Sequence, residues 1–369
     1  MSIKDSVTDR LDVRILLIVL IVSIIEFEIF VIPKATARVA GQDAWIAMLL
    51  GSVFIAFNTF ILVKLTARFP RENFFEFGGK VWGKPLSYVI ILGYLAYWFI
   101  FLSFLLKDFN VVNETFFVRE AHPAVSVTLF TLGAVWVVIY GFPAVVRLLQ
   151  MMAPFLLLPL IMVAALQVVN IRLENLQPVL GNGVLPVLKG AVLFAGFWQG
   201  LELLLFTSPF IKKPQQALKP ALLAVGVLTA LAVAQTISVI GVLGVDHIEV
   251  AIWPGINAMS AIAFPGFPVE RFELFLTLPW IVAIFTTLCV FLYLLSFGII
   301  QLLHIPYRKL TVFLCAGLIV ASSLLFPNYP AKMQYFDAFA LLTIVFVLLI
   351  PSLTLILAII RKKEGHEIE

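Results

Sequence analysis

Charge is what this chain lacks most. Of 369 residues only 12% are Asp, Glu, Lys or Arg, whereas 62% are hydrophobic. A soluble protein of this length needs far more charge to cover its surface, so the scarcity excludes that class. There are two cysteines, Cys289 and Cys315, both inside apolar runs, and they make no disulfide framework. The four histidines are scattered near expected segment ends, and no Cys/His spacing suits a metal. No Walker A lysine motif and no dinucleotide fingerprint occurs, and no nucleophile has a base at a recognisable spacing. An enzyme, a cofactor and a nucleic-acid partner are therefore not expected. No stretch is polar and long enough to fold apart from the apolar segments. One transmembrane domain over residues 1–369 is the expectation.

What is present is apolar length. The mean hydropathy is +1.09, that of a polytopic membrane protein. The first apolar run, from Val13 to about Ile32, is too long for a signal-peptide core and is expected to remain as a span. At 1.5 Å per residue a bilayer needs about 20 helical residues. That rule predicts ten spans, at about 13–40, 44–68, 84–108, 123–140, 145–169, 184–207, 217–244, 269–303, 309–326 and 335–360. The fourth and fifth are separated only by the turn Gly141-Phe142-Pro143. With both termini on one side, seventeen of the 25 lysines and arginines fall on that side, which predicts cytoplasmic termini.

Ten spans divide into five and five, and an odd number per half inverts the second half relative to the first. The expected fold is an all-α inverted repeat, with one repeat over about 13–169 and the other over about 184–360. Such folds set a binding site at mid-membrane, on discontinuous helices in matching positions of the halves. The first and sixth spans are the candidates. Glu26 precedes Pro33 by the same interval at which Glu202 precedes Pro209.

An acidic side chain at the bilayer centre costs roughly 2.5–3.5 kcal/mol on insertion scales and usually faces a cavity or a partner. Glu202, with Gln199 on the same helical face and Phe197 and Trp198 beside it, suits either an ammonium site or a polar lock between helices. Glu26 and Glu28 are two apart, so a regular helix points them to different faces. One would then face lipid, or be protonated and bonded to a neighbour, or the helix is interrupted; an interrupted first helix with at least one glutamate on the cavity is the favoured expectation. Tyr94, Tyr97 and Trp98 in the third span, and Thr286, Thr287 and Tyr293 in the eighth, either line the cavity or pack. Trp253 reads as an interface aromatic. Glu270, Arg271 and Glu273 read as a structural pin or gate.

Several short motifs, in order, resemble one family. Gly41-Gln42-Asp43-Ala44-Trp45-Ile46, Phe69-Pro70 with Trp82-Gly83-Lys84, and Asn175-Leu176-Gln177-Pro178 followed by Gly190 are similar to segments of the spore germination permease-like proteins, the B subunits of germinant receptors. So are Gly200-Leu201-Glu202 through Pro209-Phe210, Trp253-Pro254 and Glu270-Arg271-Phe272-Glu273. The resemblance implies membership of the amino acid–polyamine–organocation transporter superfamily, and a place in the inner membrane of a bacterial endospore. It further implies a larger membrane A subunit and a lipoprotein C subunit as partners. The implied ligand is a small nutrient germinant such as an amino acid, bound between the first and sixth spans. Among the ligand-binding candidates Glu26, Glu28, Tyr97, Phe197, Trp198, Gln199 and Glu202, the first two depart from the small residues that the family usually carries there. That departure points to a ligand portion of cationic or hydroxyl character.

Overall fold

The computed structural model describes residues 12–117, 120, 122–261, 274–305, 309–326 and 335–365, without the side chains of 27–30, 274–275 and 336–337. Among the described residues every regular element is helical. In order they are α1 (Val13–Ala40), α2 (Ala44–Arg68), α3 (Phe74–Trp82), α4 (Lys84–Phe116), α5 (Pro123–Val138), α6 (Phe142–Gln167), α7 (Val184–Ala195), α8 (Leu203–Thr207), α9 (Leu218–Leu243), α10 (Val245–Val250), α11 (Pro254–Ser260), α12 (Leu274–Leu303), α13 (Lys309–Leu324), α14 (Phe336–Thr343) and α15 (Ile350–Ile360). A π-helical stretch, Ile344–Leu349, joins the last two. Each of the ten expected spans has a helical counterpart among the described residues, the sixth as α7 with α8 and the tenth as α14 through α15; residues 269–273, expected to open the eighth, lie outside them.

Local chemistry explains the joints. α4 and α6 each begin with Gly-X-Pro, at Gly83-Lys84-Pro85 and Gly141-Phe142-Pro143. The glycines take φ of 82° and 87°, which a side chain would strain. Each proline sits in the first turn, where its missing N–H removes no helical hydrogen bond. The slender turn between the fourth and fifth spans is thus built like that between α3 and α4. α3 itself is closed by a capping box between Asn73 and Glu76.

The first span departs from expectation. α1 is one continuous helix through Glu26, Phe27 and Glu28, not a discontinuous one. Pro33 lies inside it without ending it. No glycine occurs between Val13 and Ala40, so the backbone has no residue that readily leaves helical geometry. The sixth span does break. Helix stops at Ala195, turns carry the chain from Gly196 to Glu202, and α8 resumes at Leu203. Gly200 has φ 104° there, and an added Cβ would stand 2.8 Å from Ile24 Cγ1 of α1. Conformation and close approach both require glycine at this crossing.

α1 and α12 form the centre. α1 packs against α9, α12, α7 and α6; α12 packs against α6, α4, α1, α5 and α13. Thr287 of α12 donates its hydroxyl to the Ser23 carbonyl of α1 at 3.3 Å.

The tenth span shows how proline shapes a buried helix. Pro351 has no N–H for the carbonyl of Val347 four residues back. Asn58 Nδ2 of α2 donates to that carbonyl at 2.9 Å, and the Tyr94 hydroxyl of α4 donates to the adjacent Phe346 carbonyl at 2.6 Å. The π-helical stretch is therefore held from two other spans.

Both ends of the bundle are tied. At the end rich in basic residues Arg68 pairs with Glu364 at 2.7 Å and donates through Nε to the Lys363 carbonyl at 2.7 Å. The Gly365 N–H donates to the Arg68 carbonyl at 3.0 Å. Arg361 donates to the Val81 carbonyl at 2.7 Å. At the opposite end Asp43, fully buried, accepts from the Leu180 N–H at 3.0 and 3.1 Å, while Gln42 donates to the Pro178 carbonyl at 2.8 Å. These contacts join two segments, 41–46 and 175–180, that stand far apart in sequence. Lys34 of α1 donates to the Ala251 carbonyl between α10 and α11 at 2.6 Å.

Candidate functional site

A small cavity lies where α1, α4, the broken sixth span and α14 meet. Its volume is about 10 Å³, and it is lined by Glu26, Phe101, Phe104, Leu105, Asp108, Gln199 and Phe339. That is far below the 300–1,000 Å³ usual for drug-sized ligands and is room for about one water. Three phenylalanines make the walls. Phe101 and Phe339 stack with ring centroids 5.9 Å apart, and Phe104 meets Phe339 edge-on at 5.4 Å. The polar groups are two carboxyls and one amide. All three residues are buried, with Glu26 at 2% exposure, Asp108 at 0% and Gln199 at 4%. The Gln199 Oε1 atom has no hydrogen-bond partner. An orphaned amide oxygen costs about 1–3 kcal/mol, which a donor placed in the cavity would recover.

Each of these positions has a local cause. Gln199 reaches the cavity because the chain is not helical between Gly196 and Glu202. Glu26 is carried there by the straight run of α1. Asp108 is carried by α4, which extends to Phe116 rather than ending near residue 108. Lys107, its neighbour, leaves in another direction and donates to the Phe326 carbonyl at 2.8 Å.

Glu202 stands elsewhere. It is fully buried, its Oε1 accepts from Trp98 Nε1 of α4 at 3.2 Å, and its Oε2 accepts from the Gly200 N–H at 2.7 Å. It does not line the cavity. It joins the break in the sixth span to α4, and Trp98 is seated against Phe206 of the same region, with centroids 4.7 Å apart. Of the two readings that the sequence left open for Glu202, this geometry is that of a lock between helices.

The remaining expected residues divide. Tyr97 is buried between Phe339 and Phe346, stacked on each at 5.3 and 5.2 Å, and its hydroxyl donates to Thr343 Oγ1 at 3.2 Å. It backs the cavity through Phe339 rather than lining it. Phe197 and Trp198 are buried beside Gln199, with Trp198 edge-on to Phe194 at 5.9 Å. Thr286 bonds within its own helix, and Tyr293 stacks on Phe297 at 5.7 Å. Trp253 is not an interface aromatic: it is buried edge-on to Trp280 at 4.8 Å, because α10 and α11 fold back over the bundle. Glu28 lies on α1, and its side chain is outside the described residues. So are Glu270, Arg271 and Glu273. Among the described residues no group of His, Cys, Asp and Glu has the arrangement of a metal site.

Sequence reasoning missed Asp108, Phe101, Phe104 and Phe339. Asp108 carried a usable signal, being an acid directly inside the apolar run of the third span. Placing the span end at that residue concealed it.

The comparisons agree with this architecture. A family model described as spore germination protein matches residues 10–331. Spore germination protein YndE of Bacillus subtilis (strain 168) is 30% identical over 280 residues, which cover 74% of this chain and 76% of that protein. Spore germination protein A2 of the same strain is 22% identical over 333 residues, covering 90% and 91%. Among solved structures, MhsT in complex with L-phenylalanine superposes with a TM-score of 0.70 at 16% identity, covering 94% of this chain and 88% of that one. Mhp1, a nucleobase-cation-symport-1 family transporter in a closed conformation with bromovinylhydantoin bound, gives 0.62 at 14% identity, covering 92% and 78%. The fold is thus the five-plus-five inverted repeat of these transporters, and the protein is an integral membrane protein. With the family model running over nearly the whole length of a chain so folded, this chain belongs to the spore germination protein family.

Proposed function

We propose that this protein is the nutrient-sensing subunit of a spore germination receptor, and that a small molecule such as an amino acid binds in the cavity between α1, α4, the broken sixth span and α14. The observation that carries this reading is the pairing of family membership with a small cavity, which a ligand would have to widen, bordered by two buried carboxyls and an unpartnered Gln199 oxygen. Glu26, Gln199 and Asp108 are the ligand-facing residues. Phe197, Trp198 and Tyr97 shape the surrounding wall, and Glu202 locks the break. Glu28 remains a site candidate, two residues along α1 from the cavity-lining glutamate. Glu270, Arg271 and Glu273 form the pin or gate. The whole chain is one transmembrane domain, with repeats at about 13–169 and 184–360, and no enzymatic step is involved.

On this reading both termini face the cytoplasm, since the basic end of the bundle collects most lysines and arginines. The membrane is the inner membrane of the endospore. The partners are the larger membrane A subunit and the lipoprotein C subunit that the family resemblance implies.

A proton-coupled amino acid transporter is the second reading, favoured by the transporter fold itself. Fold does not separate the two. Deletion of the gene in a spore-former, followed by germination against single nutrients, tests the first. Loss of response to one nutrient class, regained on complementation, is expected. Normal germination with every nutrient, together with uptake of labelled amino acids into proteoliposomes, would establish the transporter instead.

A further inference from the structure

A larger cavity lies at the basic end of the bundle, between α3, the start of α4 and the end of α12. It measures about 320 Å³, within the range of small-molecule sites, and shares no lining residue with the cavity bordered by Glu26. Three of its polar residues, Lys84, Ser87 and Tyr88, follow one another at the spacing that puts side chains on one face of α4. Lys84 has no acidic partner among the described residues. Ser87 is only 3% exposed, and among the described residues its hydroxyl makes no hydrogen bond. That hydroxyl is turned toward α3, since a Cβ on Gly78 would stand 2.9 Å from Ser87 Oγ. Gln301, at the end of α12, adds an amide, and His304 borders the same space. Glu76 of α3 is the only acid in the described lining. Its Oε2 accepts from the Asn73 N–H at 2.9 Å, which leaves Oε1 for a second donor.

The lining therefore offers a cation and several neutral donors together with one carboxylate. Lysine, hydroxyl and amide donors suit the oxygens of a phosphate, whereas the carboxylate repels an anion that brings no positive charge of its own. The cavity also opens beside a lipid-facing flank: Leu86, Tyr88 and Val89, on the first turns of α4, are exposed and largely apolar. Basic pockets between spans at the membrane boundary are suited to lipid headgroups. From this arrangement we infer that the cavity binds an amine-bearing phosphate ester, presented as the headgroup of a membrane phospholipid. The phosphate oxygens accept from Lys84, Ser87, Tyr88 and Gln301, the ammonium donates to Glu76, and the acyl chains run along Leu86 and Val89.

Gly79 allows the site to be closed without disturbing the fold. It lines the cavity, and an added Cβ there meets nothing within 4 Å. Gly79→Leu fills the space and places a better helix former in α3. Purified full-length protein in detergent is titrated with dihexanoyl phosphatidylethanolamine, its phosphatidylglycerol and phosphatidylcholine counterparts, free phosphoethanolamine and glycine. Isothermal titration and thermal stabilisation read the binding. The ethanolamine lipid is expected to bind about ten-fold more tightly than any other probe. Gly79→Leu is expected to abolish that binding with the ligand-free unfolding midpoint unchanged or raised. Lys84→Ala is expected to weaken it about ten-fold, and Lys84→Arg to keep most of it. Phosphoethanolamine binding as tightly as the lipid overturns the lipid as the source of the headgroup. Equal binding of the glycerol or choline lipid overturns the role of the primary amine, and tighter binding of glycine overturns the phosphate. Undiminished binding in Gly79→Leu, or no binding of any probe to the unaltered chain, overturns the site.

Discussion

The lock at Glu202 gives the sharpest test of the geometry. Its two carboxylate oxygens satisfy two buried donors, Trp98 Nε1 and the Gly200 N–H. Glu202→Ala orphans both. At about 1–3 kcal/mol per orphaned buried donor the loss is roughly 2–6 kcal/mol, before any cavity term. Glu202→Gln keeps the shape but replaces one acceptor oxygen by a donor amide, so one partner loses its bond and the cost is about 1–3 kcal/mol. Trp98→Phe removes a single donor and leaves the bond to Gly200. Because Trp98 and Glu202 share a bond, Trp98→Phe and Glu202→Gln are expected to be non-additive, with a coupling of about 0.5–3 kcal/mol. Thermal unfolding in one detergent at one scan rate supplies the four midpoints of the cycle, since apparent midpoints shift with heating rate when unfolding is irreversible. Independent effects, or a Glu202→Gln protein as stable as the parent that no longer responds to ligand, would refute the lock and return Glu202 to the ligand.

Gly200→Ala is expected to destabilise the chain by about 1–3 kcal/mol, from positive φ and from contact with Ile24 Cγ1; normal yield and midpoint would contradict the close approach. Tyr94→Phe and Asn58→Leu each leave a carbonyl of the π-helical stretch without its donor, so each is expected to cost about 1–3 kcal/mol in the same unfolding assay. Asp43→Ala releases the Leu180 N–H, and faster protease cleavage between residues 171 and 183 should follow, with the midpoint less affected. Burial holds the Glu76 carboxyl above its ordinary value, against the lowering effect of its bond from the Asn73 N–H. A raised carboxyl stabilises the fold below its ordinary value and the contribution is lost as pH rises through the raised one, so Glu76→Gln should flatten the fall in stability as pH climbs above the ordinary carboxylate range, measured by unfolding midpoints over a pH series.

Much of the fold was written in plain features of the chain. The spans follow from apolar length, and their ends from Gly-X-Pro, because backbone polar groups in lipid allow little besides helices. The break in the sixth span was marked by Gly196, Gly200 and Glu202 together. Symmetry then misled: the first span was expected to break because its counterpart does. Its sequence holds no glycine, and helix persists there. Glu26 was legible as an acid within an apolar run. Asp108 was legible in the same way, but not its meeting with Glu26 and Phe339, which depends on the rotation of α4 and α14 that apolar spans of low amphipathicity leave unspecified. The partner of Glu202 lies 104 residues earlier at Trp98, and no spacing rule reaches that far. Pro351 did carry a readable consequence, the freed Val347 carbonyl, but not the identity of Asn58 as its donor.

The carboxylate on the Gly200 N–H also bears on waiting. A protein whose helix break is completed by its ligand is left with an orphan donor whenever the ligand is absent, and its empty form is weakened for as long as it stays empty. Here the empty form is already complete at that point. Ligand entry gains nothing from that N–H, and forgoing a bond of about 1–3 kcal/mol lowers affinity by roughly 5- to 150-fold. In the sensing role proposed above, what is kept in exchange is an unoccupied state that does not fray at its centre.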